Sequence, residues 1–206
     1  NDSSLTSGVD FGFAYWSAGA SGFNRWHGNH KIGQGYSTPC NYYNCLKVPI
    51  YKGGAAQIAK MIRTVNPGGG THLDSAMRIA SKYYKNTTYS PIDKNLDCQN
   101  SYVILIGDGD WFTHTHNRGL KIVKDLYNND KIKTFSIAFG TGISSRGYKY
   151  FQDVAKAGGT GKSIVATTGA SLTAQLKAKI GEIIAEKLSF TAPAITATIE
   201  KGGSLY

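Results

Sequence analysis

No apolar run in these 206 residues approaches the roughly 20 needed to span a bilayer, which excludes a transmembrane helix. Cysteine is scarce, at three residues, and no Cys-x-x-Cys pair or matching histidine spacing marks a zinc knuckle. Cys40 and Cys45 instead lie close enough, in a stretch rich in Gly, Asn and Tyr, to close a small disulfide ring worth about 2 kcal/mol by loop entropy. That usage fits an oxidising compartment, and Cys98 then needs a partner elsewhere or competes for Cys40 or Cys45. Acidic side chains are few as well: 13 Asp and Glu against 23 Lys and Arg give a formal net charge of +10, which favours acidic partners. The lysines are nevertheless scattered over several expected helices (Lys60, Lys82, Lys121, Lys124, Lys156, Lys177, Lys179 and Lys187). A nucleic-acid interface would gather them in a stripe interleaved with aromatics, so a basic nucleic-acid-binding domain is only an alternative reading.

What is present reads as one globular domain of alternating strands and helices. Residues 9–16 (VDFGFAYW) have strand composition, and 46–51 (LKVPIY) read as a short strand that Pro49 demotes to a sheet edge. Between them, residues 17–45 form an insertion too long for a hairpin turn, carrying Trp26, Tyr36, Tyr42 and Tyr43. Those aromatics suit sugar or protein contacts, or packing of the loop on its own domain. Ile58, Met61, Ile62 and Val65 predict a helix over 55–65, stopped by residues 66–70 (NPGGG). A second helix places Leu73, Met77 and Ala80 on one face. Residues 102–106 (YVILI) are a continuous apolar run of the kind buried on both faces of a parallel sheet, ending in Gly107-Asp108-Gly109-Asp110. A helix around Leu120, Val123 and Leu126 follows, then a strand over 132–139, a helix near 148–157 and a strand over 163–167. The last helix starts with Ser171 as N-cap and carries Leu172, Leu176, Ile180, Ile184 and Leu188 on one stripe. The order predicts an α/β fold: a doubly wound, mostly parallel sheet with helices on both faces, one antiparallel edge strand and a long inserted hairpin loop. Ligands of such sheets bind at the carboxyl ends of the strands, where Asp108 falls.

Residues 67–74 (PGGGTHLD) and the Asp108 turn would bring a hydroxyl and a carboxylate to that edge, hard oxygen ligands suited to Mg²⁺, Ca²⁺ or Mn²⁺. A Gly-Gly-Thr loop opening a helix, followed by an apolar strand ending in Asp-Gly, resembles two parts of the metal-ion-dependent adhesion site of von Willebrand factor A-type (vWA) domains. The resemblance makes Thr71 and Asp108 metal ligands. The remaining part, an Asp-x-Ser-x-Ser loop after an apolar strand, has no counterpart; Asp2, Ser4 and Thr6 come close but have no strand before them. The expectation is therefore a vWA-like domain over 1–188 that lacks its first strand and helix, with a linker over 189–206. Gly107 departs from the family, which commonly carries Thr before the Asp.

More narrowly, Cys98-Gln99-Asn100 before the apolar strand, and residues 190–194 (FTAPA) with Leu205-Tyr206, resemble the vWA part of the PilY-type type IV pilus tip proteins. The resemblance implies a non-enzymatic adhesion and pilus-assembly module, exported through the periplasm to the bacterial cell surface. Its partners would be a protein or glycan ligand on a host cell or surface, and other pilus proteins.

Other readings compete for the same residues. Thr71 and Asp74 fit a Thr-x-x-Asp capping box. Asp108 with Asp110 would suit a metal-dependent hydrolase, although no nucleophile or phosphate loop accompanies them. His72, His114 and His116 offer imidazoles to zinc. Residues 158–163 (GGTGKS) imitate a nucleotide loop but leave a helix for a strand, the reverse of the phosphate-binding order.

Overall fold

The computed structural model describes residues 8–15, 32–33, 39–40, 46–64, 71–96 and 99–189. Strand β1 (Phe11–Ala14) is followed by two short strands within the insertion, β2 (Ile32–Gly33) and β3 (Pro39–Cys40), which pair antiparallel with each other. Strand β4 (Leu46–Tyr51) returns antiparallel to β1, with Phe11 opposite Tyr51 and Phe13 opposite Val48. The register slips between those pairs, which frees the Ile50 N–H from the ladder; it donates to Tyr83 Oη at 3.0 Å instead. Pro49, with no N–H to give, lies in the same irregular stretch. Cys40 is described as part of β3, whereas Cys45, Cys98 and residues 1–7 and 190–206 lie outside the described residues, as do the disulfide and the linker.

Helix α1 (Gly54–Met61) runs into a 3₁₀ turn over Ile62–Thr64. Helix α2 (Leu73–Tyr84) precedes strand β5 (Tyr102–Gly107). Three regular steps follow: helix α3 (Thr113–Asp130) with strand β6 (Lys133–Phe139), helix α4 (Ser145–Ala157) with strand β7 (Ile164–Ala166), and finally helix α5 (Gly169–Ser189). Strands β5, β6 and β7 form a parallel sheet in that order, with Tyr102 opposite Lys133 and Ile137 opposite Ile164. The fold is thus α/β, as the sequence predicts. The structure departs from the expectation of a single sheet with one antiparallel edge. Among the described residues the β1–β4 pair is a separate two-stranded sheet with no ladder to β5. Side chains of α2 bridge the two: Tyr83 reaches Ile50, and Tyr84 Oη donates to the Tyr102 carbonyl at 2.7 Å.

Alternation along the strands assigns the two faces of the parallel sheet. Leu105 and Ala138 join Leu73 and Met77 of α2, Val123 and Leu126 of α3, and Tyr150, Phe151 and Val154 of α4 in the main core. On the opposite face, Ile137, Ile164 and Ala166 pack with Ile104, Phe139 and the α5 residues Leu172 and Leu176. Each fully buried Leu, Phe or Met contributes about 1.5–3 kcal/mol, so α2 to α4 hold most of the apolar stabilisation. Strand β5 has β6 alone as a ladder partner among the described residues, and Ile106 is 40% exposed. An uncharged YVILIG strand with one edge unpaired among the described residues is unusual, because exposed edges normally carry charge or proline.

Helix ends show where local spacing misleads. Helix α5 begins at Gly169, not at Ser171. Ser171 N–H donates to Thr168 Oγ1 at 3.1 Å and Ser171 Oγ accepts from Thr168 N–H at 3.0 Å, a reciprocal cap one turn earlier. Helix α4 is capped by Ser144, whose Oγ accepts from Gly147 N–H at 3.1 Å. The glycines of residues 158–163 terminate α4: Gly159 and Gly161 have φ of 75° and 78°, and a side chain at Gly158 would strike Thr134. That geometry accounts for the GGTGKS segment as a helix-to-strand turn. Among the described residues no helix is long and apolar enough to cross a membrane.

Candidate functional site

The turn after β5 lies at the carboxyl end of the parallel sheet, and Trp111 roots it. This indole is buried against the Phe151 ring, edge-on with centroids 4.8 Å apart. Gly107 has a reason to lack a side chain, since a Cβ there would stand 3.0 Å from Phe151 Cζ. With both ends of the turn fixed in the core, Asp108 at its apex is exposed. One residue past Trp111, Phe112 N–H donates to the Thr71 carbonyl at 3.1 Å. That bond ties the loop opening α2 to the turn carrying Asp108, so the structure brings the two sequence-selected residues onto neighbouring segments of one rim. Thr71 is half-buried there.

Thr71 does not cap α2. The N-cap position belongs to His72, which makes no side-chain capping bond. The first turn is satisfied from another helix: Leu73 N–H donates to Thr115 Oγ1 at 3.2 Å, and that hydroxyl donates to the Phe112 carbonyl at 2.7 Å. The capping-box reading of Thr71 and Asp74 is therefore corrected. Asp74, 1% exposed, turns instead towards Arg118 of α3, with Oδ2 3.1 Å from Nε. Burial raises the pKa of Asp74, against the opposing charges of Arg118 and Arg78.

Asp110, unlike Asp108, is engaged with the start of α4. Its Oδ2 accepts from Ser144 Oγ at 2.5 Å and from Arg146 at 3.1 Å, and its Oδ1 lies against Gly147. The Ser144 hydrogen bond holds the carboxyl below the usual range, with Arg146 adding to the effect against partial burial. Asp110 thus fastens the turn to the start of α4. A two-carboxylate hydrolase would need that group next to Asp108 on one ion.

The histidines divide between rim and core. His72 is buried, and its ring meets Phe112 edge-on at 5.0 Å and His114 at 5.7 Å. Burial, then the charges of His114 and Arg118, pull its pKa down to about 4. His116 turns the other way, stacked on Tyr150 with its Nε2 3.2 Å from Asp153 Oδ2. The three imidazoles do not converge, and among the described residues no three His, Cys, Asp or Glu side chains are grouped to hold a metal ion. A divalent cation at this rim would take the Thr71 hydroxyl and the Asp108 carboxylate, hard donors of the right kind but short of the usual six ligands.

Sequence reasoning missed Trp111, His116 with Asp153, the Asp74–Arg118 pair and the Asp110–Ser144 link. His116 carried a readable signal: with Gly119 and Val123 it falls at helical spacing 0, 3 and 7, the stripe that is buried in α3. The cross-helix pairs had none, because their partners lie 34 to 44 positions apart along the chain. Set against known proteins, the chain matches no protein-family model and no curated sequence.

Proposed function

We propose that the chain is a vWA-type binding module of a type IV pilus tip or pilus-assembly protein, acting outside the cell without enzymatic chemistry. The observation that carries this reading is the Phe112-to-Thr71 hydrogen bond, which keeps a threonine and the Asp108 turn together at the carboxyl edge of a parallel sheet. In the proposed mechanism Thr71 and Asp108 supply oxygen ligands to Mg²⁺, Ca²⁺ or Mn²⁺, and an acidic group of a protein or glycan partner completes the shell. Phe112, 42% exposed beside Thr71, would add apolar contact to that partner. That no described strand covers the far edge of β5 supports the same reading, since a doubly wound vWA sheet has a further strand beside this one. Its unprotected apolar sequence suits a position with neighbours on both sides.

The test is cation dependence, measured on the whole protein by thermal unfolding with Mg²⁺, Ca²⁺ or Mn²⁺ against EDTA. A cation that binds only the folded state at 100 times its Kd adds about 2.7 kcal/mol of stability. The wild type should therefore melt higher with cation, and Asp108→Ala and Thr71→Val should each abolish the increment. An unfolding curve that ignores all three cations would refute the metal role.

A further inference from the structure

The turn that carries Asp108 is secured by a buried chain of side chains behind the rim. The Trp111 indole Nε1–H donates to His116 Nδ1 at 3.1 Å, and His116 Nε2 lies 3.2 Å from Asp153 Oδ2. The His116 ring lies flat on Tyr150, with centroids 3.9 Å apart and planes 15° from parallel. Trp111 stacks on the same tyrosine at 5.6 Å, and Tyr150 Oη donates to Thr113 Oγ1 at 3.1 Å. An indole N–H can only donate, so Nδ1 of His116 must present its lone pair. The ring's proton then sits on Nε2, facing Asp153.

We propose that His116 is a pH-sensitive latch, which when neutral fastens Trp111 and the 108–112 turn to α4 and when protonated releases them. The second proton has nowhere to go but Nδ1, where it would set N–H against N–H. Leaving a buried donor without an acceptor costs about 1–3 kcal/mol. The charged groups facing His116 are Asp153 and Lys149, both on α4, and Asp153 Oδ2 is also 2.7 Å from Lys149 Nζ. Asp153 favours the imidazolium, but its charge is shared with Lys149 and partly exposed to solvent. Burial holds His116 below its ordinary pKa; Asp153 pulls it back and Lys149 opposes it again. The consequence reaches the rim because Phe112, next to Trp111, is bonded to the Thr71 carbonyl. The latch stands whether or not the rim holds a cation.

Long-range ¹H–¹⁵N spectra of the imidazole near neutral pH test the geometry directly. Protonated Nε2 with bare Nδ1 is expected; the opposite tautomer overturns the proposal. When the pH is lowered from about 7.5 to about 4.5, the Trp111 indole resonance should move, with a midpoint below 6.5, the ordinary histidine value. Protection of the 108–112 amides, taken as exchange relative to the intrinsic rate at each pH, should fall about tenfold over the same range. His116→Asn keeps an acceptor towards Trp111 but does not titrate, so both changes should vanish in it. An indole resonance unmoved in the wild type, or one that still titrates in His116→Asn, overturns the latch.

Discussion

At Gly119 of α3 a methyl group would stand 2.6 Å from Leu73 Cδ2 and 3.0 Å from Leu73 Cβ, on α2. Gly→Ala inside a helix normally gains about 1 kcal/mol of propensity. Here the contact decides the sign, because Leu73 is fully buried and overpacking costs about 1–3 kcal/mol. Gly119→Ala should therefore lower stability in urea unfolding, whereas Gly109→Ala, with nothing within 4 Å, should move it by less than about 0.5 kcal/mol. A stabilised Gly119→Ala would mean that α2 and α3 lie further apart than described. The same contact region shows how far single residues were legible. Thr71 and Asp74 satisfy a local capping pattern, yet the hydroxyl that caps α2 comes from Thr115, 42 positions away. Asp110 looks like a twin of Asp108 until Ser144 and Arg146 are seen to claim it. Local spacing shows which groups are available, and long-range partners decide which are used.

Elements were more legible than residues, because apolar period and turn chemistry are local. The YVILIG run, the α3 stripe and the Gly-rich exit from α4 all fall where the sequence puts them. What could not be read is that β1 and β4 form a sheet of their own. Strand pairing is a relation between distant segments, and their composition suits an edge strand and a separate hairpin equally well. Helix ends follow the same logic. Lys131 ends α3 at φ 59°, a left-handed position that L side chains other than Asn rarely hold, while Ile132 N–H returns to the Leu126 carbonyl at 2.9 Å. A residue with a Cβ pays roughly 1–2 kcal/mol there. Part of that is offset by the Lys131 Nζ bond to the Asn128 carbonyl at 2.7 Å. Lys131→Gly should thus raise the denaturation midpoint, with a net gain of about 0.5–1 kcal/mol. A loss would show that the lysine head group outweighs the backbone strain.

For the whole molecule the decisive quantity is charge, since a chain at +10 becomes more positive with every proton it takes up. Two sets of groups weaken the fold in acid, while Asp74, whose pKa burial raises, opposes them as it takes up its proton. His72 and His116 are held neutral below the ordinary value of 6.5, chiefly by burial. Between that value and their folded pKa the unfolded chain binds more protons, so their contribution is complete above 6.5 and is lost as the pH falls towards the folded values. Asp125 and Glu186 are held below their ordinary 3.8 and 4.5 by hydrogen bonds from Lys85 and Lys133 respectively. Their contribution is present above those ordinary values and disappears as the pH falls through the lowered ones. Both pairs are exposed, so solvent screening leaves each worth no more than about 1 kcal/mol. The urea midpoint should therefore be flat above about pH 7, decline from 6.5 towards about 4, and fall more steeply below that as self-repulsion grows. Raising NaCl from about 0.05 M to about 0.5 M should soften the steep acid limb by screening, while leaving the histidine-driven decline largely in place because those rings are buried. In His116→Asn the upper limb should be shallower but not absent, since His72 still titrates. A midpoint that holds constant from pH 7 down to about 4 would show that neither imidazole is kept neutral by the fold.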